Sequence, residues 1–247
     1  MSDDSPAYAL EYLATAAGLL GHLAATQSRE LAAAADLVAD AVRAGRSIHA
    51  FGTGHSHMLA EELFYRAGGL VNVRPILFEG LMLHASAPLS TALERLSGLA
   101  AALVDDHEVA AGDVVVVASN SGSNAVTVEL VAEVQRRGAA TIAITSIAHA
   151  TSGQARLTGR PKLHEVATVT IDNGGIVGDA AIAVPGLDRR VAPTSTVVGA
   201  AALNAIVAEA VGRLVATGVT PAVFASSNTA GGDAINASLL HGNGTPA

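Results

Sequence analysis

The chain has no cysteine and no tryptophan, and among its 247 residues lysine occurs once, at Lys162. Without cysteine there is no disulfide framework, no thiol nucleophile and no sulfur-ligated metal site. The single lysine follows a proline, so a phosphate loop in which lysine follows glycine is excluded. Schiff-base chemistry would have to fall to Lys162 itself. Aromatic residues make up 3% of the chain, too few for the stacking platforms that hold single-stranded nucleic acid. Basic runs are also missing. Lys and Arg number 14 against 22 Asp and Glu, giving a net charge of −8, so no nucleic-acid partner is expected. Charge, histidine or glycine interrupts the apolar stretches before ~18 residues, so no membrane span is expected either. The acidic start MSDDSPAYALEYL lacks the basic region of a secretory signal, and a cytoplasmic protein is the plain expectation.

Hydrophobic residues are half of the chain, many of them alanine, which suits close packing of helices on a sheet. Residues 1–45 read as a helical segment. Leu10, Leu13, Ala17 and Leu20 fall at helical spacing, a break is expected near Thr26–Ser28, and Gly45 is placed as a cap. From residue 46 short apolar runs alternate with helical stretches, the pattern of a parallel sheet with crossover helices. Strands are expected at 47–51, 71–77, 114–118, 140–145 and 166–171, and helices at 57–67, 90–106, 124–137 and 196–216. This describes an α/β three-layer αβα sandwich with a five-stranded parallel sheet, preceded by N-terminal helices. It spans 46–225 and leaves 226–247 as a tail. Residues 146–165 and 172–193 are expected as long loops near the site.

Two strand-to-helix loops carry a chemical signal. The first, Phe51-Gly52-Thr53-Gly54-His55-Ser56-His57, brings glycine backbone and a helix start toward an anion. A dinucleotide fingerprint would need a third glycine where His57 stands, and no cofactor is expected. The second, Ser119-Asn120-Ser121-Gly122-Ser123-Asn124, follows the apolar strand at 114–118. One serine suffices to cap a helix; three around a glycine offer converging neutral donors for phosphate oxygens.

The order GTGHS, then SNSGSN after a strand, then APTSTVVGAAL opening a long helix, resembles the SIS (sugar isomerase) family. Phosphoheptose isomerase, the isomerase domain of glucosamine-6-phosphate synthase and the N-acetylmuramic acid 6-phosphate etherases belong to that family. The resemblance spans roughly residues 30–225 and implies that Ser119, Ser121 and Ser123 hold a sugar phosphate, with Ser56 bordering the sugar. Thr194, Ser195 and Thr196 are similar to the family's third, Ser/Thr-rich segment. The tail from Pro221 is not general to the family and looks like an uncharacterised branch.

Aldose–ketose isomerisation needs a base beside the carbonyl and an acid for the oxygens, commonly glutamate and histidine. Glu79 and His84, just past the second strand, and Glu62, on the helix opened by the first loop, are the catalytic candidates. Asp179 could bond sugar hydroxyls. Glu94 reads as a solvated or ion-paired helix residue. His55, His57 and Glu61 could converge but match no zinc spacing, and no metal is expected. An isomerase of a phosphorylated sugar is the first expectation. A non-catalytic phosphosugar sensor, or a lyase, etherase or deaminase on the same pocket, is the alternative. The resemblance and the long helical start imply a homo-oligomer, a dimer or tetramer.

Overall fold

The computed structural model describes residues 6–153 and 161–242. The acidic start at 1–5, the middle of the 146–165 loop and the last five residues of the tail lie outside them. Two helices, α1 (Ala7–Thr26) and α2 (Ser28–Arg43), meet at Gln27 and lead into the sheet. The strands are β1 (Ile48–Gly52), β2 (Val73–Ile76), β3 (Val114–Ala118), β4 (Ala140–Thr145) and β5 (Val169–Asp172). All run parallel in the order β2-β1-β3-β4-β5. Between them lie α3 (His57–Leu63), α4 (Ala87–Leu93), α5 (Leu99–Asp106), α6 (Ala125–Arg136), and the single turns α7 (Ile147–Thr151) and α8 (Leu163–Val166). A two-stranded antiparallel hairpin, β6 (Ala180–Ile182) and β7 (Val191–Pro193), precedes the long α9 (Ser195–Ala216), and α10 (Gly232–Gly242) closes the described chain.

Both faces of the sheet are covered, which is why its central strands read as unbroken apolar runs. Alternate residues serve opposite faces. Val114, Val116, Ala118, Ile142 and Ile144 pack with α2, α3 and α9, while Val115, Val117 and Ala143 pack with α5 and α6. The first layer is built from small side chains: Ala34, Ala35 and Ala39 of α2 and Ala202 and Ala210 of α9 are all buried. Gly199 lets α9 lie against α3, because a Cβ there would stand 2.6 Å from Leu59 Cδ1. By length and composition α9 could cross a membrane, although Gly199, Glu209 and Arg213 interrupt it. In this fold Leu203, Ile206 and Leu214 are buried in the sheet's core instead, each contributing about 1.5–3 kcal/mol.

The expected helix at 90–106 is two. Gly98, at φ +93, sits between α4 and α5. The first crossover helix stops at Leu63, not 67, and Tyr65 is left-handed at φ +42. Strand two is shorter than 71–77, since Gly69 and Val71 exchange backbone hydrogen bonds with Ala222 and Phe224 instead. The start of expected strand five is wound into α8. The 172–193 loop holds the β6–β7 hairpin, and the tail holds α10.

Candidate functional site

β1 and β3 are neighbours, yet the chain leaves β1 into α3 on one face and leaves β3 into α6 on the other. A crevice opens where such connections diverge at the carboxyl ends of parallel strands. Both glycine loops stand there. In the first, the chain folds back on itself so tightly that a Cβ on Gly52 would lie 2.3 Å from the Ser56 carbonyl oxygen. Gly54 takes a left-handed φ of +56. Thr53 Oγ1 donates to Glu94 Oε2 at 3.0 Å. Buried His57 bonds the Gly54 carbonyl through Nδ1 and lies 3.6 Å from Glu61 through Nε2.

The serine loop is held from below. Gly122 N–H donates to Ser119 Oγ (3.2 Å), and Ser123 Oγ lies 3.4 Å from Ser121 Oγ. Gly122 has φ +58, and a side chain there would press on Thr145 and Leu163. Asn173 Nδ2 donates to Asn120 Oδ1 at 2.9 Å, and Asn173 Oδ1 accepts from Gly175 N–H at 2.9 Å. Asn120 Nδ2 is left without a partner. No side chain caps α6: Asn124, at its N-cap, makes no such bond. The N-terminus of α9 differs. Asp179, itself left-handed at φ +67, accepts from the N–H groups of Thr194 (3.1 Å) and Ser195 (2.9 Å) and from Ser195 Oγ (2.6 Å).

Ser56, Ser119, Asn120, Asn173, Ser195 and Thr196 face one cleft floored by Leu59 and Ile144, and no lysine or arginine lines it. The enclosed space is about 10 Å³, room for about one water, so a larger ligand must lie across the mouth. Of the sequence candidates, the cleft gathers Ser56, Ser119, Asn120, Ser195 and Thr196. Ser121, half-buried, is not among the cleft's lining residues; buried Thr194 and Ser123 stand behind it, while Gly52, Gly54, Gly122 and Asn124 shape the turns.

The catalytic candidates sit farther out. Glu62 binds Arg66 and accepts from Asn204 Nδ2 at 2.8 Å. Asn204 is nine residues into α9 from Ser195, about 13 Å along the helix axis. Glu79 and His84 are exposed in the loop leaving β2, with the His84 ring 5.1 Å from that of His57. Among the described residues no three His, Asp or Glu side chains group as a metal would require.

A model of the SIS domain family matches residues 11–146, more than half of the chain. The chain belongs to the SIS domain family. UPF0309 proteins are similar to this SIS domain: that of Geobacillus thermodenitrificans is 44% identical over 203 residues, 82% of each chain. That of Brucella canis is 42% identical over 240 residues, 97% of this chain and 96% of its own. The fold is shared with phosphoheptose isomerase of Neisseria gonorrhoeae, at a TM-score of 0.51 and 18% identity, covering 82% of this chain and 94% of that one. The phosphoheptose isomerase of Francisella tularensis superposes at 0.54 and 12% identity, covering 81% and 94%.

Two residues of this SIS site escaped sequence reasoning. Glu94 meets Thr53 because α4 ends one residue earlier, and its backbone oxygen accepts from Val126 N–H at the start of α6. Glu94 is the C-cap of α4, where the expected single helix is interrupted, and the helical pattern gave no sign of that break. Asn173 had a signal, since Asp172-Asn173-Gly174-Gly175 stands directly after β5.

Proposed function

We propose that this SIS domain binds a phosphorylated sugar with its phosphate on the Ser119–Asn124 loop, and interconverts the aldose and ketose forms of that sugar. The observation that carries the reading is the convergence of hydroxyl and amide groups from four segments, the first glycine loop, the serine loop, Asn173 and the start of α9, in a cleft without a cationic side chain. Neutral donors fixed by the fold bind phosphate oxygens without a lysine. The names of the phosphoheptose isomerases that share the fold support a sugar phosphate as the ligand class.

In the proposed reaction a carboxylate removes the proton from the carbon beside the carbonyl. The resulting enediol takes a proton back on the neighbouring carbon, with an acid serving the two oxygens. We assign the base to Glu79 and the acid to His84. Both stand on the loop leaving β2, beside the first glycine loop, whereas the Glu62 carboxylate is engaged by Arg66 and Asn204.

Ser121→Ala tests the phosphate assignment. Ser121 is the least buried of the three serines and accepts only a long bond from Ser123, so its loss leaves the turn intact. Calorimetric titration should show phosphosugar binding weakened by roughly 1–3 kcal/mol, the range for a hydrogen bond to a charged group. The unphosphorylated sugar should bind equally to both proteins. Equal losses for both ligands defeat the assignment.

The proposed assembly is a homo-oligomer. α1 carries Tyr8, Leu10 and Leu13 at 48%, 55% and 61% exposure, and it also runs past the site, where Tyr12 Oη donates to the Pro193 carbonyl. Light scattering should return at least twice the 24.6 kDa chain mass. A monomer at micromolar concentration contradicts it.

A further inference from the structure

The amino-terminal ends of the strands, opposite the serine loop, hold two cavities of about 280 and about 220 Å³. Arg46 and Arg74 line both. One cavity continues over an apolar wall of Val42, Val71, Val219 and Pro221, and the other over His49, His107 and Asp113. Neither arginine has an ion-pair partner among the described residues, whereas Arg43, Arg66, Arg136, Arg137 and Arg213 are each held by a carboxylate. Asp113 does not neutralise them. Its oxygens accept from the N–H groups of Ser47 (3.0 Å) and Ala110 (2.9 Å) and face His49 Nε2 (3.4 Å). Glu108, at the rim, makes no ion pair with either arginine among the described residues.

His49 is the second observation. It is 1% exposed, and it pairs directly with Arg74 in the parallel ladder, so the two side chains leave the same face of the sheet. Burial is the main cause holding its pKa below the usual value; Asp113 opposes this, and Arg74 and His107 add to it. With Nε2 turned to Asp113, Nδ1 is a buried nitrogen without a partner. A buried polar atom without a partner calls for an explanation, and His49 belongs to the lining of the second cavity. Guanidinium pairs match phosphate geometry and hold it by parallel N–H donors.

We infer that this cleft is a second anion site, in which Arg46 and Arg74 hold the phosphate of a small molecule whose carbon body lies on the wall of Val42, Val71 and Pro221. It is separate from the serine cleft and does not depend on the isomerase reading.

The test titrates the whole protein with inorganic phosphate and with phenyl phosphate at low ionic strength, by calorimetry and by the ring-proton NMR signals of its histidines. Both probes should shift the His49 and His107 signals in the wild type and in Ser121→Ala alike. Arg46→Gln/Arg74→Gln should lose at least tenfold in affinity at this site while its circular dichroism is unchanged. If the double variant does not fold, Arg46→Gln alone, at an exposed position, carries the comparison. Tighter binding of phenyl phosphate supports an organic phosphomonoester, and equal binding of the two probes overturns the role given to the apolar wall. The inference is overturned if both ligands leave these ring signals in place, or if the arginine variant titrates as the wild type does.

Discussion

Gly52→Ala is expected to destabilise the protein by about 3 kcal/mol or more, beyond the ordinary range for an overpacked site. The added methyl would lie 2.3 Å from the carbonyl oxygen of Ser56 and 2.9 Å from the amide nitrogen of His57. Those are backbone atoms, so no rotamer change relieves the clash; the turn itself must open. Opening it moves Thr53 off Glu94 and Ser56 out of the cleft, and ligand binding should vanish with stability. Gly54→Ala is the control. Its Cβ meets nothing within 4 Å, and only its φ of +56 is unfavourable, so the loss should be about 1–2 kcal/mol. Urea denaturation of both variants checks the order. Equal midpoints would show that the close approach at Gly52 does not constrain the loop.

The second large effect concerns chemistry. In heavy water, wild-type protein should exchange the proton on the carbon beside the carbonyl of its phosphosugar. Glu79→Gln should slow that exchange by about 10²–10⁴-fold, the usual contribution of a positioned base, without weakening binding. Glutamine preserves size and hydrogen bonding and removes only the proton acceptor. Glu62→Gln should leave exchange within a few-fold of wild type, since its main loss is the pair with Arg66, worth about 0.3–0.5 kcal/mol on a helix surface. The opposite pattern, with exchange lost in Glu62→Gln and kept in Glu79→Gln, moves the base to α3. Tight binding with no exchange in the wild type ends the isomerase reading and leaves the phosphate assignment to stand on Ser121.

The parts of the fold legible in the sequence are those written by strong local patterns. Val114–Ala118 could only be a strand buried on both faces, and the ladder places it at the centre of the sheet. The serine loop was legible because its composition exceeds what a cap requires. The break between α4 and α5 was not, because Leu96, Leu99 and Leu103 keep an apolar rhythm across Gly98 and a lone glycine is tolerated inside many helices. The hairpin of β6 and β7 has three residues on each strand, too few for alternation to register. The shortened β2 depends on Ala222 and Phe224, about 150 residues away in sequence, which no local window contains. Glu94 belongs with these. Its neighbourhood is made by Thr53 and Val126, and both contacts depend on how separate elements settle against one another.

The carboxylate of Asp179 closes the amino terminus of α9 with three hydrogen bonds, in a molecule whose other site-facing helix, α6, begins uncapped. The two helix starts are therefore not equivalent harbours for a phosphate. The start of α6 is met by the neutral backbone carbonyl of Glu94, while the start of α9 already shelters a negative group belonging to the protein. An incoming anion that reached for Ser195 would meet a resident rival of the same sign, tethered to the β6–β7 hairpin, and could take its berth only by moving the hairpin. On the proposed reading, a phosphate is steered to the serine loop as much by repulsion at α9 as by attraction at α6.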